Sequence, residues 1–394
     1  LTILLAGGIL ILISYLAFLR SWWIPVVPPL LALFGSAIVV TGFIAQMATE
    51  IRKTFGRYLS DEVVTSLLET PTGLQMGGEK RKITILMSDL RGFSAISESL
   101  PPERVVKLLN LYLEAMTEII SQYGGMINQV IGDGMVIFFG ALTQKPDDAE
   151  RAIACAISMQ LAMDAVNQRN HCMNLPTIEM GIGINTGEVI VGNIGSVKHA
   201  QFTAIGSDVN LADRIESFSV GGQVLVSQAV VDEVPTLKTR RHIEASFKGM
   251  HTPIVLYDVS GIGGSHQLNL PDPKSHLNPL KYTIPIEYTL VEGKRLVGDA
   301  IRGTLVKVSG RGAEIHSEVA IAPLSNIRII LLTHLHRSIV NEGIYAKVTD
   351  TALDNPAGFR VHFTNISPWM IKTLLKLTIK PSTSSVFTTE RKSS

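Results

Sequence analysis

Cysteine is nearly absent from this chain: Cys155 and Cys172 are the only 2 in 394 residues. That excludes a disulfide scaffold and leaves two free thiols in a reducing compartment. Net charge is nearly absent as well, +1 from 35 basic and 34 acidic residues, so no general polyanion-binding role follows. Charge is missing altogether from residues 1–19 and 24–48. Each stretch is about long enough to cross a bilayer, which predicts two transmembrane helices over 1–48. Arg20-Ser21-Trp22-Trp23 joins them, and tryptophans there fit an interfacial belt. Arg52, Lys53 and Arg57 follow, with Lys80, Arg81 and Lys82 further on. The positive-inside rule then puts everything after residue 50 in the cytoplasm, under a multi-pass anchor in a plasma (inner) membrane. The chain does not begin with Met and opens inside an apolar run, which predicts a preceding segment.

What is present centres on residues 83–140. ITILMSDLRGFSAI runs into an amphipathic stretch and then MINQVIGDGMVIFFG. The pattern predicts a strand at 83–88, a helix at about 102–123, and strands at 126–131 and 135–140. The turn at Gly132-Asp133-Gly134 is a strong hairpin signal. A right-handed crossover makes the first two strands parallel. If the third slots between them, Asp89 and Asp133 meet at one edge of the sheet. A helix at 147–168 and a strand at 178–185 complete a ferredoxin-like βαββαβ layer, an α+β fold. Two close carboxylates repel unless a cation lies between them. Such a pair suits Mg²⁺ or Mn²⁺ held together with substrate phosphates.

Further along, GSDVNLADRIESF reads as a helix with Asn210 and Arg214 four apart on one face. Asp208 and Asp213 read as capping or surface residues. Arg91-Gly92-Phe93-Ser94 opens a short helix whose backbone N–H groups suit phosphate oxygens, with Phe93 more a packing residue. Lys198 and His199 follow the glycine-rich GEVIVGNIGS hairpin.

SDLRGFS, GDGMVIFFG and TAIGSDVNLADR, in that order and spacing, resemble the catalytic core of class III nucleotide cyclases over residues 80–260. The resemblance implies an adenylate cyclase that converts ATP to 3′,5′-cyclic AMP and pyrophosphate. It implies two metals per site on Asp89 and Asp133, with the Leu90 carbonyl or a near neighbour adding a ligand. Asn210 is then the ribose-orienting residue and Arg214 the transition-state arginine. The metal residues come from one subunit and the Asn/Arg pair from the other, which implies a head-to-tail homodimer. Lys248 falls at the family's Lys-Gly position, and it and Lys198 are phosphate candidates beside Gly92, Phe93 and Ser94. Base choice departs from the pattern. Adenylyl enzymes carry Lys, and guanylyl enzymes usually Glu, where this chain has Gln129. An amide matches either purine edge. The companion position, Thr203, fits the bacterial adenylyl type and favours ATP. Guanylate cyclase stays open, as does a nucleotide-binding receptor module without turnover.

The spans with WIPVVPPLLAL resemble the membrane hairpin that follows a CHASE-type sensor, which would lie upstream. Residues 49–79, with a short helix at 61–69, read as a juxtamembrane helical transmitter. Residues 261–279 are rich in Gly, Pro, Asn and Ser and predict a linker. Short alternating runs over 280–380 predict a small β-barrel. VKVSGRGAEI and VHFTNISP resemble PilZ domains, which often bind cyclic di-GMP. Here Lys307 stands where that turn expects an acid or amide, and no RxxxR pair is visible near residue 280, so the barrel reads as regulatory, with a ligand or partner left open. Residues 381–394 predict a disordered tail.

Overall fold

The computed structural model describes residues 2–55 except 24 and 26, and residues 76–379 except 197, 246–252, 272–276, 293–294, 333–342 and 352–357. The chain divides into two units, Leu1–Gln75 and Met76–Ser394.

In the first unit, helix α1 (Thr2–Leu19) and helix α2 (Val27–Phe55) flank a tight corner where Trp22 N–H donates to Ala17 O at 3.0 Å. Pro28 and Pro29 fall in the first turn of α2, where backbone N–H groups lack intrahelical partners anyway. Val27–Met47 spans 21 residues at mean hydropathy 2.0, and none of its most apolar window is buried. Among the described residues it is the one helix long and apolar enough to cross a membrane. The apolar stretch Gly7–Leu19 is shorter than the roughly 20 residues a crossing needs. The expectation of two spans, and with it a multi-pass chain, is therefore corrected to a single candidate span.

The second unit begins with β1 (Gly77–Leu90), α3 (Phe93–Ser99), α4 (Pro102–Gln122), β2 (Met126–Ile131), β3 (Gly134–Phe139), α5 (Asp148–Cys172) and β4 (Met180–Ser196). The chain then adds β5 (His199–Ile205), α6 (Ser207–Phe218), β6 (Val224–Ser227), α7 (Gln228–Glu233), β7 (Leu237–Ala245), β8 (Ile254–Ile262) and β9 (Leu268–Asn269). The sheet order is β2-β3-β1-β4-β6-β8-β7, with β5 on β4 and β9 on β8. As expected, β3 lies between β1 and β2 and antiparallel to both. The expected βαββαβ layer is the kernel of a larger sheet.

Helix α4 buries Leu108, Tyr112, Met116 and Ile120, a four-residue repeat that makes one apolar stripe. That stripe and α5 cover one sheet face, meeting Leu86, Leu90, Ile137 and Phe139. Alternation along β1 therefore turns Asp89 to the other face. Residues 261–271 are not a free linker. Ile262 pairs with Leu268, Leu270 is buried, and Arg240 donates to the carbonyls of Leu270 and Pro271.

The C-terminal strands β10 (Asn278–Glu292), β11 (Arg295–Val308), β12 (Gly312–Ser317), β13 (Asn326–Leu331), β14 (Ile344–Thr351) and β15 (Phe359–Asn365) close into a six-stranded barrel. Closure removes the unpaired edges that alternating apolar strands would otherwise expose. The barrel is filled by residues such as Ile284, Ile286, Ile315 and Ile329, with Tyr288 edge-on to Phe359 at 5.3 Å. Helix α8 (Pro368–Lys376), capped by Ser367, adds Met370 and Leu374 to that core. The predicted transmitter helix at 61–69 and the tail at 381–394 lie outside the described residues.

Candidate active site

Strand register builds the site. Ser88 pairs with Met135, so the end of β1 meets the start of β3. A Cβ on Gly134 would stand 3.3 Å from Asp89 Oδ1, and Leu90 N–H donates to Asp133 Oδ2 at 3.2 Å. Gly132 supplies the left-handed backbone (φ 68° at Gly92, 64° here) that the two-residue β2–β3 turn needs. Asp89 and Asp133 are therefore neighbours. Burial, then the charge of Asp89, pushes the Asp133 carboxyl up to about 7. A cation between the two groups would relieve both causes. No group of three or more His, Cys, Asp or Glu side chains forms a metal site among the described residues. Two carboxylates side by side suit a hard ion that would complete its shell with water and phosphate oxygens. Leu90 gives its N–H to Asp133 and its side chain to the core.

Arg91 turns inward. Its guanidinium pairs with Glu216 and donates to Glu216 O at 2.8 Å and Ser219 Oγ at 2.7 Å. It also lies 3.7 Å from Asp89 Oδ2. Gly92 is left-handed where the chain reverses into α3, and a side chain is excluded as well, since Thr364 O lies only 2.6 Å from where a Cβ would be. Phe93 packs on the core and Ser94 is exposed.

Asn210 and Arg214 lie on α6, which runs along β4. Gly181, Gly183, Asn185 and Gly187 share one face of β4, and the helix lies over them, with backbone contact at Gly183. A Cβ on Gly183 would collide with Glu216 N, and one on Gly187 with the Asp208 carboxylate. Asp208 is not merely a surface residue: Asn185 Nδ2 donates to its Oδ1 at 3.1 Å and its carbonyl at 3.0 Å. Gly187 pairs with Ile83, six residues before Asp89. The start of α6 is therefore about 20 Å along the sheet from the carboxylate pair, at ~3.3 Å per residue. One chain does not bring Asn210 to Asp89 and Asp133.

Gln129, on β2, pairs with Val136 of β3 and is exposed. Thr203, on β5, does not meet it. Thr203 Oγ1 instead accepts from Asn128 Nδ2 at 3.3 Å. A register shift between Ile127 and Gln129 turns Asn128 toward β5, and no sequence pattern signals that shift. Lys198 and His199 are exposed at the β4–β5 turn. Lys248 lies outside the described residues.

Residues 77–257 match the adenylate and guanylate cyclase catalytic domain. This part of the chain is similar to class III nucleotide cyclase catalytic domains. It is similar to adenylate cyclase 1 of Rhizobium meliloti, 29% identical over 241 residues, which covers 58% of this chain and 36% of that protein. It is similar also to an adenylate cyclase of Anabaena cylindrica, 31% identical over 227 residues, 53% of this chain and 44% of that protein. The chain thus spans less than half the length of these relatives. Among solved structures, the guanylyl cyclase Cya2 is 47% identical, over 50% of this chain and 100% of that one, with a TM-score of 0.49. The adenylyl cyclase CyaB from P. aeruginosa is 33% identical, over 49% and 100%, with a TM-score of 0.47.

Proposed function

We propose that this chain is an adenylate cyclase, anchored in a membrane by Val27–Met47 with its catalytic domain on the cytoplasmic side, that converts ATP to 3′,5′-cyclic AMP and pyrophosphate. The observation that carries the reading is the meeting of Asp89 and Asp133 at the β1–β3 edge. These two would hold Mg²⁺ or Mn²⁺, two per site. Bound there, the ions would supply activation of the attacking 3′-hydroxyl and charge neutralisation at the β- and γ-phosphates. Asn210 orients the ribose by hydrogen bonding. Arg214 faces the α-phosphate, where negative charge grows as pyrophosphate leaves. The separation of Asn210, at the start of α6, from the carboxylate pair within one chain supports a head-to-tail homodimer whose two sites each draw on both protomers. Gly92, Phe93 and Ser94 are a weaker phosphate grip, with Lys198 and Lys248 beside them.

Thr203 and the two adenylate cyclase relatives support ATP. One observation keeps GTP as a second reading: the exposed Gln129 amide offers a donor and an acceptor that fit guanine as well as adenine. The test is to incubate the full chain in detergent micelles with Mn²⁺ and equimolar ATP and GTP, and to separate the products. Cyclic AMP alone supports the reading. Cyclic GMP, or a mixture, makes Gln129 the specificity residue. No cyclic product from a folded dimer leaves a nucleotide-binding module without turnover.

A further inference from the structure

The C-terminal barrel does not hang free of the catalytic domain. Lys347 of β14, 5% exposed, reaches out of the barrel to the end of α6. Its Nζ donates to Ser217 O at 2.5 Å and to Ser219 O at 3.5 Å, and lies 6.0 Å from the centre of the Phe218 ring. The last carbonyls of a helix have no partner within it, and they carry the negative end of its dipole. Lys347 thus caps α6 from another domain. Leu324 of the barrel joins the same buried cluster as Ile215 of that helix. Three further contacts fix the barrel's angle. Arg311 and His362 hold Glu179 at 2.9 and 3.1 Å, and Arg241 of β7 donates to Thr349 O at 3.1 Å.

The capped end of α6 is also where the catalytic site is braced. Glu216, in the last turn, binds Arg91, and Arg91 lies two residues beyond Asp89. Lys347 is near enough to both for Arg91 to disfavour its charge and Glu216 to favour it. Asn210 and Arg214 lie earlier on the same helix. A displacement of its C-terminal turn is felt at both halves of the site, because a packed helix moves as a unit.

We propose that Lys347 is a positioning residue for catalysis: by capping α6 and facing the Glu216–Arg91 pair, the barrel sets where Asn210, Arg214 and Asp89 stand. The inference rests on the cyclase reading above. It makes the barrel a regulatory domain, since whatever loosens its docking lowers turnover.

The experiment compares full-length wild type, Lys347→Met, Lys347→Arg, Glu216→Gln and the Lys347→Met/Glu216→Gln double variant. Each is assayed for kcat and KM, and amide hydrogen exchange is followed over α6. Lys347→Met keeps the apolar stem and loses the donors. Its kcat is expected to fall about tenfold with KM within twofold of wild type, as for an interaction realised in the transition state. Exchange over α6 rises, Lys347→Arg recovers most of the rate, and the double variant is no worse than Glu216→Gln alone. An active Lys347→Met enzyme with wild-type kcat overturns the inference, as does full additivity in the double variant. If Lys347→Met does not fold, Glu216→Gln tests the same link from the other side, and wild-type kcat there also overturns it. A wild type without cyclic product overturns the cyclase reading instead. In that case exchange over α6 still decides the clamp, and equal exchange in wild type and Lys347→Met refutes it.

Discussion

At the scale of single residues, the site is defined by two carboxylates that the fold holds together against their mutual repulsion. Asp133 is pushed up by burial and by Asp89, so without a cation the pair works against the folded state. Replacing Asp133 with Asn removes one charge at nearly constant shape. In metal-free buffer Asp133→Asn should therefore melt above the wild type, by a few degrees for ~1 kcal/mol in a domain of this size. Adding Mn²⁺ should raise the wild-type midpoint and leave the variant's nearly unchanged, while turnover falls at least ~100-fold. Differential scanning fluorimetry with and without chelator checks the first part, and product chromatography the second. Equal Mn²⁺ shifts in both proteins would sink the assignment.

At the scale of elements, the catalytic helix owes its position to what β4 lacks. Gly183 and Gly187 let the backbone of α6 lie on the strand, and Asn185 ties down Asp208 at its start. A methyl group at Gly183 has no room against Glu216 N. Gly183→Ala is expected to lift the helix and to cost ~1–3 kcal/mol, the usual range for overpacking. Urea unfolding measures the loss, and kcat should fall with it because Arg214 moves with the helix. By contrast, Gly222→Ala, where a Cβ would meet nothing within 4 Å, should cost less and leave kcat alone despite its φ of 81°.

At the scale of the whole molecule, two predictions concern how parts come together. If the sites are shared, Asp89→Ala and Asn210→Ala are each dead as homodimers. Mixed and allowed to reassort, half of the dimers carry one intact site, so about a quarter of wild-type activity should return. Continued inactivity of a proven heterodimer would refute the shared site. The second concerns the barrel junction. Burial, and then Arg91, lowers the Lys347 amine from its ordinary 10.5 to about 7, with Glu216 opposing. Between pH 7 and 10.5 the unfolded chain binds more protons at this group than the folded one. Stability therefore gains a rising contribution with pH across that window, at most ~1.4 kcal/mol per pH unit, and none below it. Comparing urea midpoints of wild type and Lys347→Met at pH 7 and pH 9 isolates the contribution. A wild-type midpoint that does not rise relative to the variant would contradict it.

The sequence by itself determined the elements and the kernel of the site. Apolar runs mark β1 and β3, a near-four period marks α4, and the Gly132-Asp133 turn signals a hairpin that brings Asp133 beside the end of β1 once β3 slots between β1 and β2. Those are local signals, since backbone sterics and apolar spacing act over a few residues. Alternating runs foretold the barrel for the same reason. Other features depended on what lies across space. The register shift that sends Asn128 rather than Gln129 to Thr203 follows from how β2 meets its neighbours. The pairing of Leu268 with Ile262 drew residues read as linker into the sheet. Above all, only tertiary structure decided that Lys347, more than a hundred residues after α6, ends that helix. A lysine in an alternating strand looks like any solvated charge, and its role comes entirely from the carbonyls that packing sets in front of it.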